Sequence, residues 1–393
     1  MEAQDKLRGM ARSFGRERVG LEALYGRVLS DVVVADRDYP PFDRVTMDGY
    51  ALRFADWQAG VRRFRVREVV YAGGAAVGML AAGECYLIMT GAAAPVGADV
   101  VVRREDVQVE GAEVVVTLEA ARQWMNIARR GEDLRSGDIV MDRACIADAS
   151  VVGLLATLGV PMPWVEVLPR VALLTTGDEV VDADLSVPGP LQIRNSNRWL
   201  LQALLRKWGI EPVMYEHAAD DRSVLRAAID RGLEADILIC CGGVSAGDAD
   251  HVPGVMAESG VKKVFHKIAM RPGKPVWCGE MKSGGLVLAL PGNPVSCLVG
   301  FILLFEEYLR ACWGLPVSGP SSLGLAVGRK KKAPLDEFFP VRREGMPMRL
   351  WPVNMNGSGD IRLGMQADAL ALHPAGRGDL EEGAELLIFP FRV

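Results

Sequence analysis

The chain has 393 residues, more than one ordinary folding domain holds, so several domains are expected. Half of the residues are apolar and 24% are charged, a balance typical of globular proteins. The 45 basic and 50 acidic residues leave a net charge of −5, so no overall positive field exists to attract a phosphate backbone. We therefore exclude nucleic acid as the expected partner.

Seven cysteines are scattered through the chain, mostly in apolar stretches, and none has the paired spacing of a metal-ligand motif. We interpret them as reduced thiols of the core. Residues 1–18 are charged and lack the apolar segment of a secretory signal, and the longest apolar run, near residues 294–305, is too short to span a membrane. These features predict a cytoplasmic protein that does not contact a membrane.

The first part of the chain predicts a helical and extended N-terminal part over residues 1–50 and 142–167, interrupted by a small β domain over residues 51–141. In the β domain, Phe64 and Val66 alternate with arginines, and valine-rich segments follow glycine-rich turns, which indicates short, half-buried strands. Residues 147–159 read as a helix with apolar residues on one face.

Residues 168–315 alternate between apolar strands and helices, which predicts an α/β domain whose mostly parallel, doubly wound sheet is covered on both faces. Asn195 begins a predicted helix that ends before Gly209, and Asp220 or Asp221 can cap the next one. Glycine, proline and short strand-like pieces return in residues 316–393. The predicted fold class is therefore multidomain α/β plus β, with two small β domains and a small helical N-terminal part beside the central sheet.

Polar segments follow the predicted strands at residues 175–179, 220–221, 242–250 and 291–294. In an open α/β sheet, ligands bind beyond the carboxyl ends of the strands, so these segments are expected to converge. Gly242 and Gly243 would let backbone N–H groups approach an anion. Asn293 would cap a helix that begins at Pro294 and points its free amides to the same edge. Taken singly, each segment also fits a plain turn or a helix cap.

Two basic segments differ in their predicted role. Lys267, Arg271 and Lys274 share a loop stiffened by two prolines, which favours a phosphate contact over a solvated loop. The basic run 329–332 is interpreted as a solvated linker. The four histidines show no ligand spacing, and none is assigned to a metal.

Four of the carboxylates in these polar segments are candidate metal ligands. Glu179, Asp220, Asp248 and Asp250 would repel one another if they converged, unless a divalent cation lay among them. Oxygen ligands beside phosphate suit Mg²⁺. Acidic and basic residues at one edge therefore predict a substrate that carries phosphate and metal together.

Many of these segments match one family in one order. The chain resembles the MoeA and gephyrin E-domain family of molybdopterin molybdenumtransferases. The matching segments are residues 40–43, 47–51, 90–92, 97–99, 131–133, 137–138, 176–179, 195–197, 242–245, 271–275 and 290–294. The resemblance covers nearly the whole chain. It implies a homodimer whose active cleft combines the α/β domain of one chain with the N-terminal parts of the other.

The resemblance also implies the reaction, Mg²⁺-dependent insertion of molybdate into adenylylated molybdopterin with release of AMP, as the last step of molybdenum cofactor biosynthesis. By motif position, the catalytic residues would be Asp48, Glu179, Asp220 and Asp250, and the last three would hold Mg²⁺. The substrate-binding residues would be Thr90, Gly242, Gly243, Ser245, Lys267, Arg271, Lys274, Pro291, Asn293 and Pro294. Further partners under this resemblance would be the preceding molybdopterin adenylyltransferase and enzymes that accept the cofactor.

Two positions depart from the family pattern. Arg271 stands where lysine is more common, and Thr46 stands where alanine or serine is common. Either change fits a paralogue that prefers tungstate. Two further alternatives are an adenylyltransferase-like enzyme, which the flanking β domains and the 47–51 motif disfavour, and a non-catalytic pterin-binding scaffold, which the filled acidic positions disfavour.

Overall fold

The computed structural model describes residues 2–185, 187–244, 251–316, 321–360, 362 and 366–392. The chain divides into two compact units. Residues 1–30, 143–153 and 161–393 form the large unit, and residues 31–142 and 154–160 form the small unit. No helix among the described residues is long and apolar enough to cross a membrane.

The small unit is built on a six-stranded mixed sheet. Its strands, in spatial order, are Val100–Arg103, Gly49–Leu52, Glu84–Ile88, Arg63–Val70, Glu113–Val116 and Val107–Glu110. Two-stranded pairs join Arg44–Val45 to Ile127–Ala128 and Val33–Val34 to Ile139–Met141, and short helices lie at Phe54–Gln58 and Arg104–Asp106. The predicted alternation is confirmed at the start of the fourth strand, where Phe64 is fully buried between exposed arginines.

The large unit begins with helix Glu2–Gly9, which buries Leu7 and packs against helix Glu306–Cys312. A salt bridge of 2.6 Å from Arg8 to Glu307 joins the two helices. A four-stranded sheet follows, with the order Arg16–Arg18, Trp164–Glu166, Val28–Leu29 and Cys145–Ile146. A short helical turn lies at Leu21–Ala23, and the helix predicted at residues 147–159 is confirmed at Ala149–Thr157.

The central sheet of the large unit has six strands. Their order is Met214–Ala218, Val171–Thr176, Ile237–Cys241, Leu286–Leu290, Trp277–Glu280 and Lys262–His266. The first four strands are parallel to one another, and each of the last two pairs antiparallel with the strand before it in this order, so the sheet is mixed. A small parallel pair, Val180–Val181 with Ile193–Arg194, follows the second strand in the chain.

Apolar residues on both faces of this sheet explain why helices lie on both sides. Val171 and Leu173 pack into one core, with helices Ser196–Arg206 and Pro294–Gly300, whereas Ala172 and Leu174 pack into another. The second core includes helices Arg222–Gly232 and Val252–Glu258. Strands that are buried on both faces have continuous apolar sequences. Burial of each leucine or isoleucine side chain in them contributes roughly 1.5–3 kcal/mol to the stability of the fold. The first core continues into the helical segment Phe301–Phe305.

A second mixed sheet lies in the C-terminal part of the large unit. Its main path is Met270–Arg271, Asp336–Glu344, Ala369–His373, Glu385–Pro390 and Ser321–Gly324, and Arg349–Pro352 pairs with the second strand. The first strand comes from the basic loop of the α/β region, since Met270 pairs with Asp336 and Arg271 with Glu337. This pairing brings the basic loop beside the C-terminal sheet.

Candidate functional site

The carboxyl ends of four parallel strands meet in register at one edge of the central sheet. Thr176 pairs with Ala218, Thr175 with Cys241, and Cys241 with Leu290. The polar segments that follow these strands therefore begin side by side, as the sequence predicted.

Gly242 and Gly243 occupy a tight position at this edge. Both have positive φ angles, 105° and 63°, and a Cβ atom on Gly242 would lie 2.6 Å from Oγ1 of Thr176. Only glycine fits such a position. The expectation that both glycine amides face an anion is wrong for Gly242, because its N–H donates to the carbonyl of Leu290 at 3.0 Å. Oγ1 of Thr176, by contrast, is buried without a hydrogen-bond partner among the described residues.

Three carboxylates gather next to Thr176. Asp178 accepts a hydrogen bond from the backbone N–H of Asp220 at 3.0 Å, and the carboxylate of Glu179 folds back over Gly177. Burial raises the pKa of Asp220, and the negative charges of Asp178 and Glu179 raise it further. Asp178 is a member of the cluster that the sequence did not single out, because its motif position alone also fits a turn.

Asp220 and its neighbour Asp221 have different roles. The side chain of Asp221 caps helix Arg222–Gly232 by accepting from the amides of Ser223 and Val224, at 2.9 and 3.0 Å. Asp220 makes no such cap and is left at the sheet edge beside Asp178. Of the two aspartates that the sequence offered as the helix cap, the structure thus assigns the cap to Asp221.

The acidic cluster fits Mg²⁺ in ligand type. Among the described residues, no three histidine, cysteine, aspartate or glutamate side chains converge closely enough to hold a metal ion by themselves. Mg²⁺ prefers oxygen ligands, commonly keeps several waters, and is bound through one or two carboxylates together with substrate phosphates. Glu179 and Asp220 supply donors of that kind and number. Asp248, Asp250 and Ser245 lie outside the described residues, so their predicted roles stay predictions.

The 195–197 motif ties the strand ends together. Asn195 caps helix Ser196–Arg206 by accepting from the amide of Arg198, and it donates to Oγ1 of Thr175 at 2.9 Å. Asn197 donates to the carbonyl of Gly292 at 2.6 Å. These bonds connect the second strand of the sheet to the loop that follows the fourth, so the motif has a positioning role.

The helix that follows this loop differs from the prediction. Pro294 is its first residue, as predicted, but Asn293 does not cap it and instead donates to Oγ of Ser358 at 2.9 Å. The N–H of Val295 is also occupied, because it donates to the carbonyl of Ser358 at 3.1 Å. The expectation that this helix points free amides at the edge is therefore wrong for Val295.

A pocket of about 810 Å³ opens next to this loop, between the α/β part and the C-terminal sheet of the large unit. It brings together four of the predicted substrate-binding residues, Arg271, Lys274, Pro291 and Asn293. Lys330 and Lys332 line it from the C-terminal part. Lys267 lies outside the lining, is exposed, and has a positive φ of 69°. The pocket thus gathers cations from both sides.

The interpretation of residues 329–332 as a solvated linker is wrong. The Arg329 side chain is only 12% exposed and forms a salt bridge of 2.8 Å with Glu337. Nζ of Lys331 donates to three backbone carbonyls, those of Leu335, His373 and Pro374. The run is therefore fixed to the C-terminal sheet. Its charged residues line a pocket and do not form a solvated linker.

In the small unit, Asp48 and Thr90 lie together. Both the N–H and the hydroxyl of Thr90 donate to Oδ1 of Asp48, each at 2.7 Å. These bonds hold the pKa of Asp48 below its ordinary value, so the carboxylate is ionised at neutral pH. The next residue must be a glycine, because a Cβ atom at Gly49 would lie 2.1 Å from the carbonyl oxygen of Val102 on the neighbouring strand.

Fold and site together define a multidomain protein with an α/β ligand-binding region whose acidic strand ends adjoin a cationic pocket. Residues 1–159 match the sequence model of the MoeA N-terminal region, domains I and II, and residues 172–311 match that of a probable molybdopterin-binding domain. The chain belongs to the MoeA family of molybdopterin molybdenumtransferases, which confirms the motif resemblance.

Individual relatives agree over most of their length. A molybdopterin molybdenumtransferase of Synechocystis is 30% identical over 385 residues, which cover 96% of this chain and 95% of that protein. One of Staphylococcus aureus is 32% identical over 319 residues, 80% of this chain and 75% of that protein. A crystal structure of a MoeA protein of molybdopterin biosynthesis from Pyrococcus horikoshii superposes with a TM-score of 0.79 at 30% identity, covering 100% of this chain and 98% of that one.

Proposed function

We propose that this chain inserts molybdenum from molybdate into adenylylated molybdopterin and releases AMP, in a Mg²⁺-dependent last step of molybdenum cofactor biosynthesis. One observation carries the proposal. The acidic cluster of Asp178, Glu179 and Asp220 lies at the same row of strand ends that leads to the cationic pocket around Arg271 and Lys274. The names of the relatives, molybdopterin molybdenumtransferase, support the same reaction.

Contacts link the acidic and cationic parts of this edge. Thr176 precedes the acidic cluster and lies against Gly242, and a Cβ atom on Gly292 would lie 3.8 Å from Cα of Gly242. Asn293, the next residue, lines the cationic pocket. A substrate that carries Mg²⁺ on a phosphoanhydride at one end and further anionic groups at the other would therefore meet complementary charges along one surface.

Glu179 and Asp220 would hold Mg²⁺ on the acidic side, with Asp250 by family resemblance. When bound, Mg²⁺ supplies Lewis-acid polarisation of the phosphoanhydride bond between AMP and the pterin phosphate. The carboxylate of Asp220 is poised for this role, since partial burial and two negative neighbours make its charge costly without a cation. The buried hydroxyl of Thr176 lies beside the same place and has no hydrogen-bond partner among the described residues.

Arg271 and Lys274 would bind the anionic groups of the substrate, either the pterin phosphate or molybdate. A guanidinium can donate two parallel hydrogen bonds to one oxyanion, whereas lysine acts as a point charge. Arg271 is held in place by its backbone, since it pairs with Glu337 in the C-terminal sheet. In the small unit, Asp48 holds Thr90 as a fixed pair, which we propose contributes to the same reaction within a homodimer.

The test supplies the purified protein with adenylylated molybdopterin, Mg²⁺ and molybdate, and measures AMP by chromatography and active cofactor by reconstitution of an apo-molybdoenzyme. Tungstate in place of molybdate tests the oxyanion preference. Release of AMP that does not depend on Mg²⁺ contradicts the metal assignment. Tight binding of the pterin without any AMP supports the scaffold alternative instead.

Two neighbouring aspartates provide a matched pair of variants. Asp220→Asn keeps the shape but removes the charge, and we expect AMP release to fall at least 100-fold, which corresponds to about 2.7 kcal/mol of barrier. Asp221→Asn is the control, because asparagine caps a helix about as well as aspartate, and its activity is expected to stay within about two-fold. Equal activities of the two variants would remove Asp220 from the mechanism.

Lys274→Ala tests the cationic pocket. Loss of one charge-assisted hydrogen bond, about 1.5–3 kcal/mol, is expected to weaken binding of adenylylated molybdopterin roughly ten- to hundred-fold. Lys263→Ala is the control, because Lys263 is exposed on strand Lys262–His266 and does not line the pocket. Calorimetric titration measures both. An unchanged dissociation constant for Lys274→Ala would discard its phosphate role.

A further inference from the structure

A buried polar network lies at the row of strand ends, on the face of the central sheet that helix Ser196–Arg206 covers. Successive side chains of a strand point to opposite faces, so Thr175 and Thr176 diverge at the end of their strand. Thr176 lies against Gly242, whereas Thr175 faces the side on which the helix packs. Thr175 is 3% exposed, so its hydroxyl must find its hydrogen-bond partners inside the protein.

Three side chains meet the Thr175 hydroxyl. Nδ2 of Asn195 donates to Oγ1 of Thr175 at 2.9 Å and to the hydroxyl of Tyr215 at 3.1 Å. Nδ1 of His217 lies 3.0 Å from Oγ1 of Thr175, and the hydroxyl of Tyr215 lies 3.4 Å from it. The strand register explains the meeting, since Leu173 pairs with Tyr215 and Thr175 pairs with His217. These four polar side chains are called the Thr175 network.

The donors and acceptors of the Thr175 network follow from one fixed amide. Oδ1 of Asn195 accepts from the backbone N–H of Arg198, so Nδ2 of Asn195 is the donor to both hydroxyls. The Thr175 proton is then available to Nδ1 of His217, which accepts it in the neutral imidazole and carries its own proton on Nε2. Arg198 closes the network, because its guanidinium lies 3.7 Å from the centroid of the Tyr215 ring.

The Thr175 network joins the two parts of the ligand-binding edge. On one side, strand Met214–Ala218 ends two residues before Asp220, a member of the acidic cluster. On the other side, Asn195 begins the helix whose Asn197 donates to the carbonyl of Gly292, next to the cationic pocket. The hydroxyl at the centre of the network therefore ties the strand that leads to the acidic cluster to the helix that holds the loop of the cationic pocket.

We propose that Thr175 and His217 are positioning residues of the insertion reaction, because their hydrogen bond fixes the acidic cluster relative to the cationic pocket and lets one substrate reach both. This inference rests on the proposed function. Loss of the Thr175 hydroxyl leaves Nδ1 of His217 without its donor and takes one of two acceptors from Nδ2 of Asn195. Strand and helix are then free to shift, and a displacement of about 1 Å in a distant support can lower a rate about 100-fold.

The test compares two variants of the central hydroxyl. Thr175→Val keeps the shape and removes the hydroxyl, whereas Thr175→Ser keeps the hydroxyl. Calorimetric titration with adenylylated molybdopterin counts the binding sites, and AMP release is expressed as a rate per site. Thr175→Val is expected to lower kcat per site at least about ten-fold, with KM for both substrates within about three-fold, because the contacts at each end remain. Thr175→Ser is expected to stay within about two-fold of the wild-type rate.

His217 supplies a second pair of variants. His217→Asn places a side-chain oxygen near the position of Nδ1, and it is expected to keep at least about half of the rate per site. His217→Leu removes the acceptor and is expected to lower that rate at least about ten-fold. Hydrogen exchange in strand Leu286–Leu290 checks the fold of all four variants.

The outcomes separate alignment from folding. A variant that merely folds less well has fewer binding sites but an unchanged rate per site, and this result for Thr175→Val would overturn the proposal. A loss that Thr175→Ser shares in full would also overturn it, because the hydroxyl would then be irrelevant. Failure of the wild-type protein to release AMP would instead remove the proposed function itself, and this inference with it.

Discussion

Replacing Arg329 by methionine is expected to destabilise the C-terminal sheet strongly, because Arg329 neutralises a buried carboxylate. Its Nη1 lies 2.8 Å from Oε2 of Glu337 and 2.6 Å from Nδ1 of His373, and the side chain of Glu337 is 3% exposed. Oε1 of Glu337 already has no partner among the described residues. The variant leaves the N–H of Lys332, at 3.4 Å, as the remaining described donor to that carboxylate. Breaking a buried pair in this way costs about 3–5 kcal/mol.

Hydrogen exchange of strand Asp336–Glu344 measures the local loss of stability. Arg342→Met is the matched control on the same strand, since its pair with Glu344, at 3.5 Å, is 56% and 61% exposed and is expected to contribute at most about 1 kcal/mol. Arg329→Met/Glu337→Leu removes the unpaired charge and is expected to recover most of the loss. Similar exchange in Arg329→Met and Arg342→Met would refute the reasoning.

The same cluster predicts the pH dependence of stability. Burial lowers the pKa of His373 below its ordinary 6.5, and nearby positive charges add to this. Below about pH 6.5 the unfolded chain therefore takes up a proton first, and stability falls. Burial alone would raise the pKa of Glu337, but the hydrogen bond and charge of Arg329 outweigh it and the pKa is lowered, so a second loss begins below its ordinary 4.5. Urea midpoints between about pH 7 and pH 4 measure both steps, and His373→Gln is expected to remove the first.

Two further substitutions test local features of the sheet edge. Asp221→Ala removes the cap of helix Arg222–Gly232 and is expected to cost about 1 kcal/mol in thermal unfolding, whereas a loss near zero would show that the cap is not formed in solution. Gly243→Ala places a Cβ 2.7 Å from Val252 at a φ of 63° and is expected to cost at least about 1–2 kcal/mol. Gly254→Ala is the control that is expected to keep full stability, because its Cβ meets, among the described residues, only the end of Arg222 at 3.9 Å.

Local chemistry was sufficient to predict several elements of the fold. Asn195 was expected to begin a helix, and it caps Ser196–Arg206 through the amide of Arg198. The apolar runs that became Val171–Thr176 and Leu286–Leu290 were expected to be buried strands followed by polar edges. These predictions succeed because a cap acts within one helical turn and an apolar run of strand length must be buried wherever it packs.

Other expectations failed because the deciding partner is distant in sequence. The amide of Gly242 was expected to face a ligand, yet it bonds to the carbonyl of Leu290 on the adjacent strand. Asn293 was expected to cap its own helix, yet its side chain bonds to Ser358, 65 residues further along the chain. A free donor pairs with whichever acceptor the tertiary structure places nearest, and neighbouring residues do not show which one that is.

The sequence by itself determined which residue types stand at the strand ends, and therefore the oxygen and cation chemistry available there. Only the tertiary structure decided which of those groups are free to bind a ligand. Arg329, Lys330 and Lys332 of one basic run line a pocket, but Arg329 is neutralised there by Glu337, and Lys331 of the same run is held by backbone carbonyls. The physical reason is that charge is fixed by the side chain, whereas burial and pairing depend on the strands that fold against it.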